Sequence, residues 1–432
     1  MTGLSRILSV ILLLAMVCSA ATQPPKTKKF LTKPLVIEDQ GSFFIGGVPK
    51  ITDYATNFPP APNQITIGQM YVQFQVPQKK KPNMPPVIMV HGSSHTAACL
   101  EATPDGREGW YPYFVRKGFS TYLVDQAGRG RSGFDESAIH EGQAMIRNGD
   151  VEGGLAKIQQ YHRIPDNDAW TKWFGRLVPP GSTILTGQLI QHGDPAHPPA
   201  DEALRANDHA AAFPVGAVDA NIVKRGGAIG PAPAGPNTAL ALEYYKQLVP
   251  NTEVTLPGST CASCEPKQVN AGSTWTPLAL ALLVERLGGA IVITHSQAGG
   301  RGHHMTRILR DRVHLSMLKG LITLEGSCSF TGSGLKAEDF DNVPYLAVKG
   351  DYASASADAK TCEASITEIR SRRAGGNGTA SAEYIKLGEL GNPALKGTTH
   401  MMMLGTNNLE VADVILKWVE LNIPPRSGKR KR

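Results

Sequence analysis

Ser296 lies where a buried-strand pattern meets a helix pattern, and its hydroxyl is a candidate nucleophile. The apolar, β-branched run 289–293 predicts a strand, and the stretch 297–309 predicts a helix. A serine on such a turn needs small neighbours, because the strand and the helix approach each other closely there. Gly299 fills one small position of the G-x-S-x-G pattern, whereas Thr294 stands at the other. The turn therefore predicts a nucleophile only if the rest of the chain supplies its partners.

His400, in a loop-like segment near the C-terminus, is the candidate base. A serine hydroxyl is a poor nucleophile at neutral pH, so it needs a base and a carboxylate that orients that base. Glu325 ends the apolar strand 321–324, and Asp351 follows the strand 345–348. Both carboxylates lie at strand carboxyl ends, the edge where open parallel sheets form their sites. The residues alone leave Glu325 and Asp351 as alternatives.

Two backbone N–H groups are candidates for stabilising a negatively charged oxygen. The strand 86–90 runs into the turn 91–94, which is able to aim the Ser93 amide at the same sheet edge. Gln297 directly follows the serine and offers the second amide. Removing one such donor typically lowers turnover by about two to three orders of magnitude.

Four ordered motifs resemble those of the α/β-hydrolase superfamily: H-G, D-x-x-G-R-G-R-S, H-S-Q-x-G and a C-terminal histidine. More narrowly, the chain is similar to a group of secreted microbial carboxylesterases that carry G-S-F-F-x-G-G, T-P-D-G-R-x-G-W and H-M-M-M, found here at 41–47, 103–110 and 400–403. The match covers residues 35–135 and 275–422. It implies a mostly parallel sheet flanked by helices, with antiparallel N-terminal strands and a large cap insertion.

The resemblance also implies which residues would act. In this group the acid is a glutamate that ends the strand after the nucleophile, which points to Glu325, while most other α/β-hydrolases use the position of Asp351. A Ser296–His400–Glu325 triad would cleave a small-molecule ester or lactone through an acyl-enzyme, with no metal or organic cofactor. Relatives can carry a cysteine pair at 93–94, where this chain has two serines.

Two other functions are compatible with these motifs. The same scaffold hosts lyase or cyclisation chemistry in small-molecule biosynthesis, because a fold does not fix a function. A catalytically silent binding protein is the second alternative, and the intact serine, acid and histidine set disfavours it. His303 and His304 do not predict a metal site, since neighbouring histidines on a helix point about 100° apart.

The first 20 residues predict a secretory signal peptide. One positive charge precedes the apolar core 7–17, and small residues follow at 18–20. That core is too short to span a membrane, and no later stretch approaches the ~20 apolar residues that a spanning helix needs. We therefore expect a secreted, extracellular protein without a membrane span.

The net charge of +7 is concentrated near the ends of the chain. Removing Arg6 with the signal peptide and the five basic residues of 426–432 leaves the body near +1. Such a basic run can be an import signal or an anionic-surface contact, but in a secreted chain we expect a solvated or trimmed end. Nucleic acid is therefore not an expected partner. The sequence leaves the oligomeric state open.

The cysteines predict disulfides, because an oxidising compartment favours paired thiols. Cys328 and Cys362 flank a strand near the acid, and similar enzymes also show a bridge there. The C-x-x-C at 261–264 would suit redox chemistry or half a zinc site, but no second C-x-x-C exists, so a local disulfide is expected. Cys99 would then be the cysteine left over after these two pairings.

The expected organisation is a hydrolase core interrupted by one insertion. Asn377 begins the only N-x-[ST] glycosylation sequon and lies in a glycine-rich loop. The divisions are the N-terminal part of the core at 21–135, a cap or lid at 136–275, the C-terminal part of the core at 276–422 and a basic tail at 423–432.

Overall fold

The computed structural model describes most of the two expected core segments and short parts of the insertion. The described residues are 30–31, 33–56, 60–158, 163–166, 169, 173–174, 243–250, 275–330, 333–350, 357–395 and 398–425. The predicted signal peptide, the C-x-x-C, Asp351 and most of the predicted cap and basic tail lie outside them.

The described strands form one eight-stranded sheet in the order β1-β2-β4-β3-β5-β6-β7-β8. From β4 to β8 neighbouring strands are parallel, whereas β2 is antiparallel to both β1 and β4. This arrangement confirms the predicted mostly parallel sheet with antiparallel N-terminal strands. The strands are β1 Ile37–Thr52, β2 Asn63–Pro77, β3 Val87–Val90, β4 Thr121–Asp125, β5 Ala290–His295, β6 Leu318–Leu324, β7 Tyr345–Lys349 and β8 Ala382–Lys386.

Helices cover both faces of this sheet. The described helices are α1 Ala98–Glu101, α2 Trp110–Arg116, α3 Ser137–Arg147, α4 Val151–Lys157, α5 Thr276–Arg286, α6 Ala298–Asp311, α7 Ala357–Ala374 and α8 Asn408–Asn422. None of them is both long and apolar enough to cross a membrane.

Side chains alternate along each central strand and therefore belong to two separate cores. On β3, Val87 and Met89 pack with α2 and α8, while Ile88 and Val90 pack with α5 and α6 on the other face. All four β3 side chains are at most 1% exposed. This explains why the strand reads as a continuous apolar run, because a parallel strand buried on both faces has no position for a polar residue.

Arg107 ties the early part of the chain to the loop that carries His400. Its Nη1 donates to the Gly405 carbonyl at 2.6 Å, and its Nη2 donates to the Leu404 carbonyl at 2.8 Å. Nη1 also donates to Asn408 Oδ1, at the start of α8, at 3.0 Å. One guanidinium thus fixes the segment between His400 and the final helix.

The cysteines behave as the sequence predicted wherever the structure describes them. Cys328 and Cys362 form a disulfide with a Cα–Cα distance of 4.6 Å. Cys99, within the described part, is a buried free thiol. The disulfide joins the segment after β6 to α7.

Replacing Arg107 with methionine is expected to lower the free energy of unfolding by about 2–4 kcal/mol, because hydrogen bonds to a charged group contribute about 1.5–3 kcal/mol each. Urea denaturation of the purified protein measures the change. Arg312→Met is the control, since it breaks only a surface ion pair with Glu285, worth about 0–1 kcal/mol. Equal losses in the two variants would contradict the role given to Arg107.

Candidate active site

Ser296 sits on a strained turn between β5 and α6. Its φ of 54° is in the left-handed region, which a residue with a side chain rarely adopts. Two backbone hydrogen bonds hold the turn: the Ser296 amide donates to the Leu324 carbonyl at 2.8 Å, and the Gly299 amide donates to the Ser296 carbonyl at 2.9 Å. Such strain persists only where surrounding contacts enforce it, and it is typical of functional sites.

The turn accommodates Thr294 where the common pattern has glycine. Thr294 is fully buried on β5, and its hydroxyl donates to the Ile322 carbonyl at 3.2 Å. The facing position on α6 is Gly302, where an added Cβ would lie 3.0 Å from Thr294 Cγ2. A glycine on the helix thus supplies the room that the missing glycine on the strand would otherwise provide.

The structure brings Ser296, His400 and Glu325 into one hydrogen-bonded row. His400 Nδ1 lies 3.3 Å from Glu325 Oε2, and His400 Nε2 lies 2.9 Å from Ser296 Oγ. With the ring proton on Nδ1, Nε2 accepts a hydrogen bond that the Ser296 hydroxyl donates. His400 and Glu325 are each 5% exposed. Of the two candidate acids, Glu325 contacts the histidine, and Asp351 lies outside the described residues.

Glu325 occupies a second strained turn, at the end of β6. Its φ is 51°, and its amide donates to the Val348 carbonyl at 2.9 Å. The Gly350 amide donates to Glu325 Oε1, the carboxylate oxygen that does not face His400. In the next residue, the Gly326 carbonyl accepts a hydrogen bond from buried Lys349 Nζ at 3.0 Å. These contacts hold the carboxylate in one orientation.

The two predicted oxyanion donors belong to turns that adjoin Ser296. Gln297 follows Ser296 and precedes α6, while Ser93 follows Gly92 in the turn after β3. An added Cβ on Gly92 would lie 2.8 Å from Ser296 Cβ and 2.8 Å from His295 Nδ1. Gly92 therefore packs directly against Ser296, and position 92 requires glycine.

His91, which sequence reasoning did not single out, helps to fix that peptide. The Gln126 backbone amide donates to His91 Nε2 at 3.0 Å. The ring proton is therefore on Nδ1, which donates to the Gly92 carbonyl at 2.9 Å. Burial, followed by the nearby Arg129 charge, lowers the pKa of His91 to about 3. The ring therefore stays neutral and keeps both bonds over the physiological pH range.

Aromatic side chains from the expected cap pack against His400 and His95. The Trp173 ring lies nearly parallel to His400, with ring centroids 6.2 Å apart and an interplanar angle of 11°. His95 packs between Trp173, at 5.0 Å, and Tyr244, at 5.8 Å. The Val249 amide also donates to the Ser94 carbonyl at 2.8 Å. These two described parts of the insertion, 173–174 and 243–250, thus contact both the candidate base and the turn 91–94.

Other singled-out residues have packing roles. The methionines at 401–403 are all fully buried in the core that includes α2 and α8. His303 lies within hydrogen-bond distance of the Tyr345 hydroxyl, at 2.7 Å, and of the Ser329 carbonyl, at 3.1 Å. Across the ranges given above, no three His, Cys, Asp or Glu side chains are grouped to hold a metal ion.

Arg129 is a further residue that the sequence did not single out, although it lies in the D-x-x-G-R-G-R-S motif. Its side chain contacts both the Gly92 carbonyl and the Gln297 side chain. The motif indicated the fold but gave no sign of where this side chain points.

Comparisons with known proteins identify similar esterases and lipases. No protein-family model matches the chain. The probable secreted lipase phiG of Fungal sp. (strain ATCC 74256) is 25% identical over 392 residues, covering 81% of this chain and 85% of that protein. A solved structure of a novel bacterial esterase is 26% identical, with a TM-score of 0.63, and the match covers 91% of this chain and 99% of that one. The chain has the α/β-hydrolase fold, and these likenesses support an ester-cleaving hydrolase.

The buried histidines predict that stability falls as the pH falls below about 6.5. Burial lowers the pKa of His91 and His95 to about 3 and that of His303 to about 4. Between these values and about 6.5, the unfolded chain binds protons that the folded chain does not. Each such histidine should therefore lower the free energy of unfolding by about 2 kcal/mol between pH 7 and pH 5.

Urea denaturation at a series of pH values measures this dependence. His303→Gln, which lies away from Ser296, should reduce the proton uptake on unfolding near pH 5.5 by about one proton. An unchanged slope in that variant would mean that His303 is already protonated in the folded protein.

Proposed function

We propose that this chain is a secreted serine hydrolase that cleaves carboxylic esters or lactones through an acyl-enzyme. The observation that carries the proposal is the hydrogen-bonded row of Ser296, His400 and Glu325 at the carboxyl edge of the sheet. The likeness to a secreted lipase and to a bacterial esterase supports the same reaction class.

The first step would acylate the serine. As Ser296 Oγ attacks the carbonyl carbon, its proton moves to His400 Nε2, and the C–O double bond opens to an oxyanion. Glu325 accepts the hydrogen bond from Nδ1 and so stabilises the imidazolium that forms. When the tetrahedral intermediate collapses, His400 returns the proton to the leaving alcohol, and the acyl group stays on Ser296.

The second step would release the acid by the same route. Water enters beside His400, which removes one of its protons while the oxygen attacks the acyl carbon. Collapse of the second tetrahedral intermediate breaks the bond to Ser296 Oγ, which regains its proton from His400. For a lactone the released product is one hydroxy acid, because the alcohol and acyl parts remain joined.

The oxyanion of both intermediates would be held by the Ser93 and Gln297 amides. Fixed donors of this kind lower the barrier because they need no reorganisation as the charge develops. The close approach of Gly92, the residue before Ser93, to Ser296 Cβ supports this assignment.

The surroundings of His400 favour a substrate with an apolar part. The Trp173 ring lies nearly parallel to the imidazole, and Phe174 and Tyr244 pack edge to face with ring centroids 4.8 Å apart. Aromatic surroundings are typical of sites for apolar small molecules. The cap thus supplies the selectivity, while the core supplies the reaction.

Export and glycosylation complete the proposal. The N-terminal 20 residues would direct secretion, and Asn377 is exposed, as a glycan acceptor must be. The Cys328–Cys362 disulfide is consistent with an oxidising compartment.

Intact-mass analysis with a serine-reactive phosphonate should give one adduct on the wild-type protein and none on Ser296→Ala. The same pair should differ by at least about four orders of magnitude in the hydrolysis of nitrophenyl esters, because the variant lacks the nucleophile. Short-chain and long-chain esters compared side by side would report the chain-length preference.

Circular dichroism serves as the control that Ser296→Ala remains folded. A folded wild-type protein that neither labels nor hydrolyses any ester or lactone would overturn the hydrolase proposal. The lyase and binding-protein alternatives would then be preferred.

Glu325→Gln should lower kcat about 10³–10⁴-fold, because an amide cannot stabilise the imidazolium and favours the wrong tautomer. Asp351→Asn is the matched control at the alternative acid position and should stay within about threefold of wild type. Steady-state hydrolysis of one nitrophenyl ester, normalised to phosphonate-reactive sites, measures both. The reverse pattern would assign the acid to Asp351.

A further inference from the structure

We infer that Arg129 is a positioning residue that sets the geometry of the oxyanion hole from both sides. The inference rests on the proposed function, since it concerns the two backbone amides assigned to that hole. Arg129 Nη1 donates to the Gly92 carbonyl at 2.9 Å, and Nη2 donates to Gln297 Oε1 at 2.5 Å. One guanidinium therefore joins the turn after β3 to the residue after the nucleophile.

The bond to Gly92 fixes the direction of one oxyanion donor. Within a planar trans peptide the C=O and N–H groups point in opposite directions, so orienting the Gly92 carbonyl also orients the Ser93 N–H. This carbonyl accepts two hydrogen bonds, from Arg129 and from His91 Nδ1. With both bonds in place, rotation of the Gly92–Ser93 peptide is restricted.

The bond to Gln297 restrains the other donor. Gln297 has helical backbone angles at the start of α6, with φ −49° and ψ −34°. A tether on its side chain limits the motion of the same residue's amide. Since both tethers end on one rigid, planar guanidinium, they also limit how far the two donors can move apart.

The turn that carries Arg129 is itself held firmly. The buried Asp125 carboxylate accepts hydrogen bonds from the Ala97 amide at 2.8 Å and the Arg131 amide at 2.9 Å. Ser132 Oγ donates to the Asp125 carbonyl at 2.6 Å. The Arg129 side chain is 2% exposed. A buried guanidinium is costly to desolvate, so its hydrogen bonds here must offset that cost.

The geometry also explains why a lysine would be a poor replacement. Lysine has one nitrogen on a flexible stem, whereas the guanidinium presents several donors in a fixed plane. A lysine at position 129 would hold Gly92 or Gln297 loosely, but not both at a set spacing.

The test compares four variants with wild type, namely Arg129→Met, Arg129→Lys, Gln297→Ala and the double variant Arg129→Met/Gln297→Ala. Rates of ester hydrolysis are divided by the concentration of phosphonate-reactive sites, so unfolded protein does not count. We expect Arg129→Met to lower kcat about 10- to 100-fold with KM changed less than about threefold, because the donors act mainly in the transition state. Arg129→Lys should recover part of that loss.

Two further readouts separate positioning from general damage. Inhibition by an alkyl boronic acid, which forms a tetrahedral adduct on serine, should weaken in Arg129→Met by the same factor as kcat/KM. The apparent pKa in the pH profile of kcat/KM should stay unchanged, since His400 and Glu325 are not altered. Gln297→Ala loses its side-chain amide but keeps the backbone N–H that would hold the oxyanion, so it should lose less activity than Arg129→Met. In the double variant it should add nothing to the effect of Arg129→Met.

Arg116→Met is the control, because it removes a partly buried arginine that pairs with Glu108 and contacts neither Gly92 nor Gln297. It should keep kcat per reactive site within about threefold of wild type. Equal losses in Arg116→Met and Arg129→Met, or wild-type kcat in Arg129→Met, would overturn the inference. If Arg129→Met does not fold, wild-type kcat in both Arg129→Lys and Gln297→Ala would overturn it.

These outcomes are distinct from failure of the proposed function. A wild-type protein that neither labels at Ser296 nor hydrolyses esters removes both proposals. An active wild type with an equally active Arg129→Met removes only the role of Arg129.

Discussion

The hydrogen bond from the Ser296 amide to the Leu324 carbonyl joins the two turns on which the candidate site depends. β5 and β6 are neighbouring parallel strands, and each is followed by a residue with a left-handed backbone, Ser296 after one and Glu325 after the other. Such a conformation is unfavourable for a residue with a side chain, so each turn needs support from its surroundings. The hydrogen bonds from the Ser296 amide to Leu324 and from the Glu325 amide to Val348 continue the hydrogen-bond pattern of the parallel sheet past the ends of its strands. The strain is thereby offset, and two side chains are presented at one edge.

The central sheet could be predicted because the physics behind it is local. Runs such as 289–293 are apolar at every position, as a strand covered by helices on both faces must be. A carboxylate near Ser296 was also predictable, because the carboxyl ends of parallel strands share one edge. The choice of Glu325 over Asp351 and the place of His400 came from the resemblance to known hydrolases. What these residues do in catalysis stays a prediction that the geometry supports.

The second set of contacts at the site could not be predicted, for a physical reason. The destination of a long side chain such as Arg129 depends on the distance between turns that are far apart in sequence. Trp173 and Tyr244 come from a stretch without periodicity, where an isolated aromatic residue gives no sign of the surface it will cover. Trp173 lies beside the ring of His400, which is buried, and electrostatic interactions are stronger at buried groups.

Thr294 on β5 and Gly302 on α6 share one space, so the side chains allowed at these two positions depend on each other. The close approach of β5 and α6 limits the combined side-chain volume at the two positions. A threonine on the strand is therefore tolerated while the helix position is glycine. A lineage that gained a side chain at 302 before losing one at 294 would pass through an overpacked and destabilised intermediate. The order of substitution is therefore constrained. A sequence pattern such as G-x-S-x-G, which requires glycine at the strand position, would miss proteins that have the small residue on the helix instead.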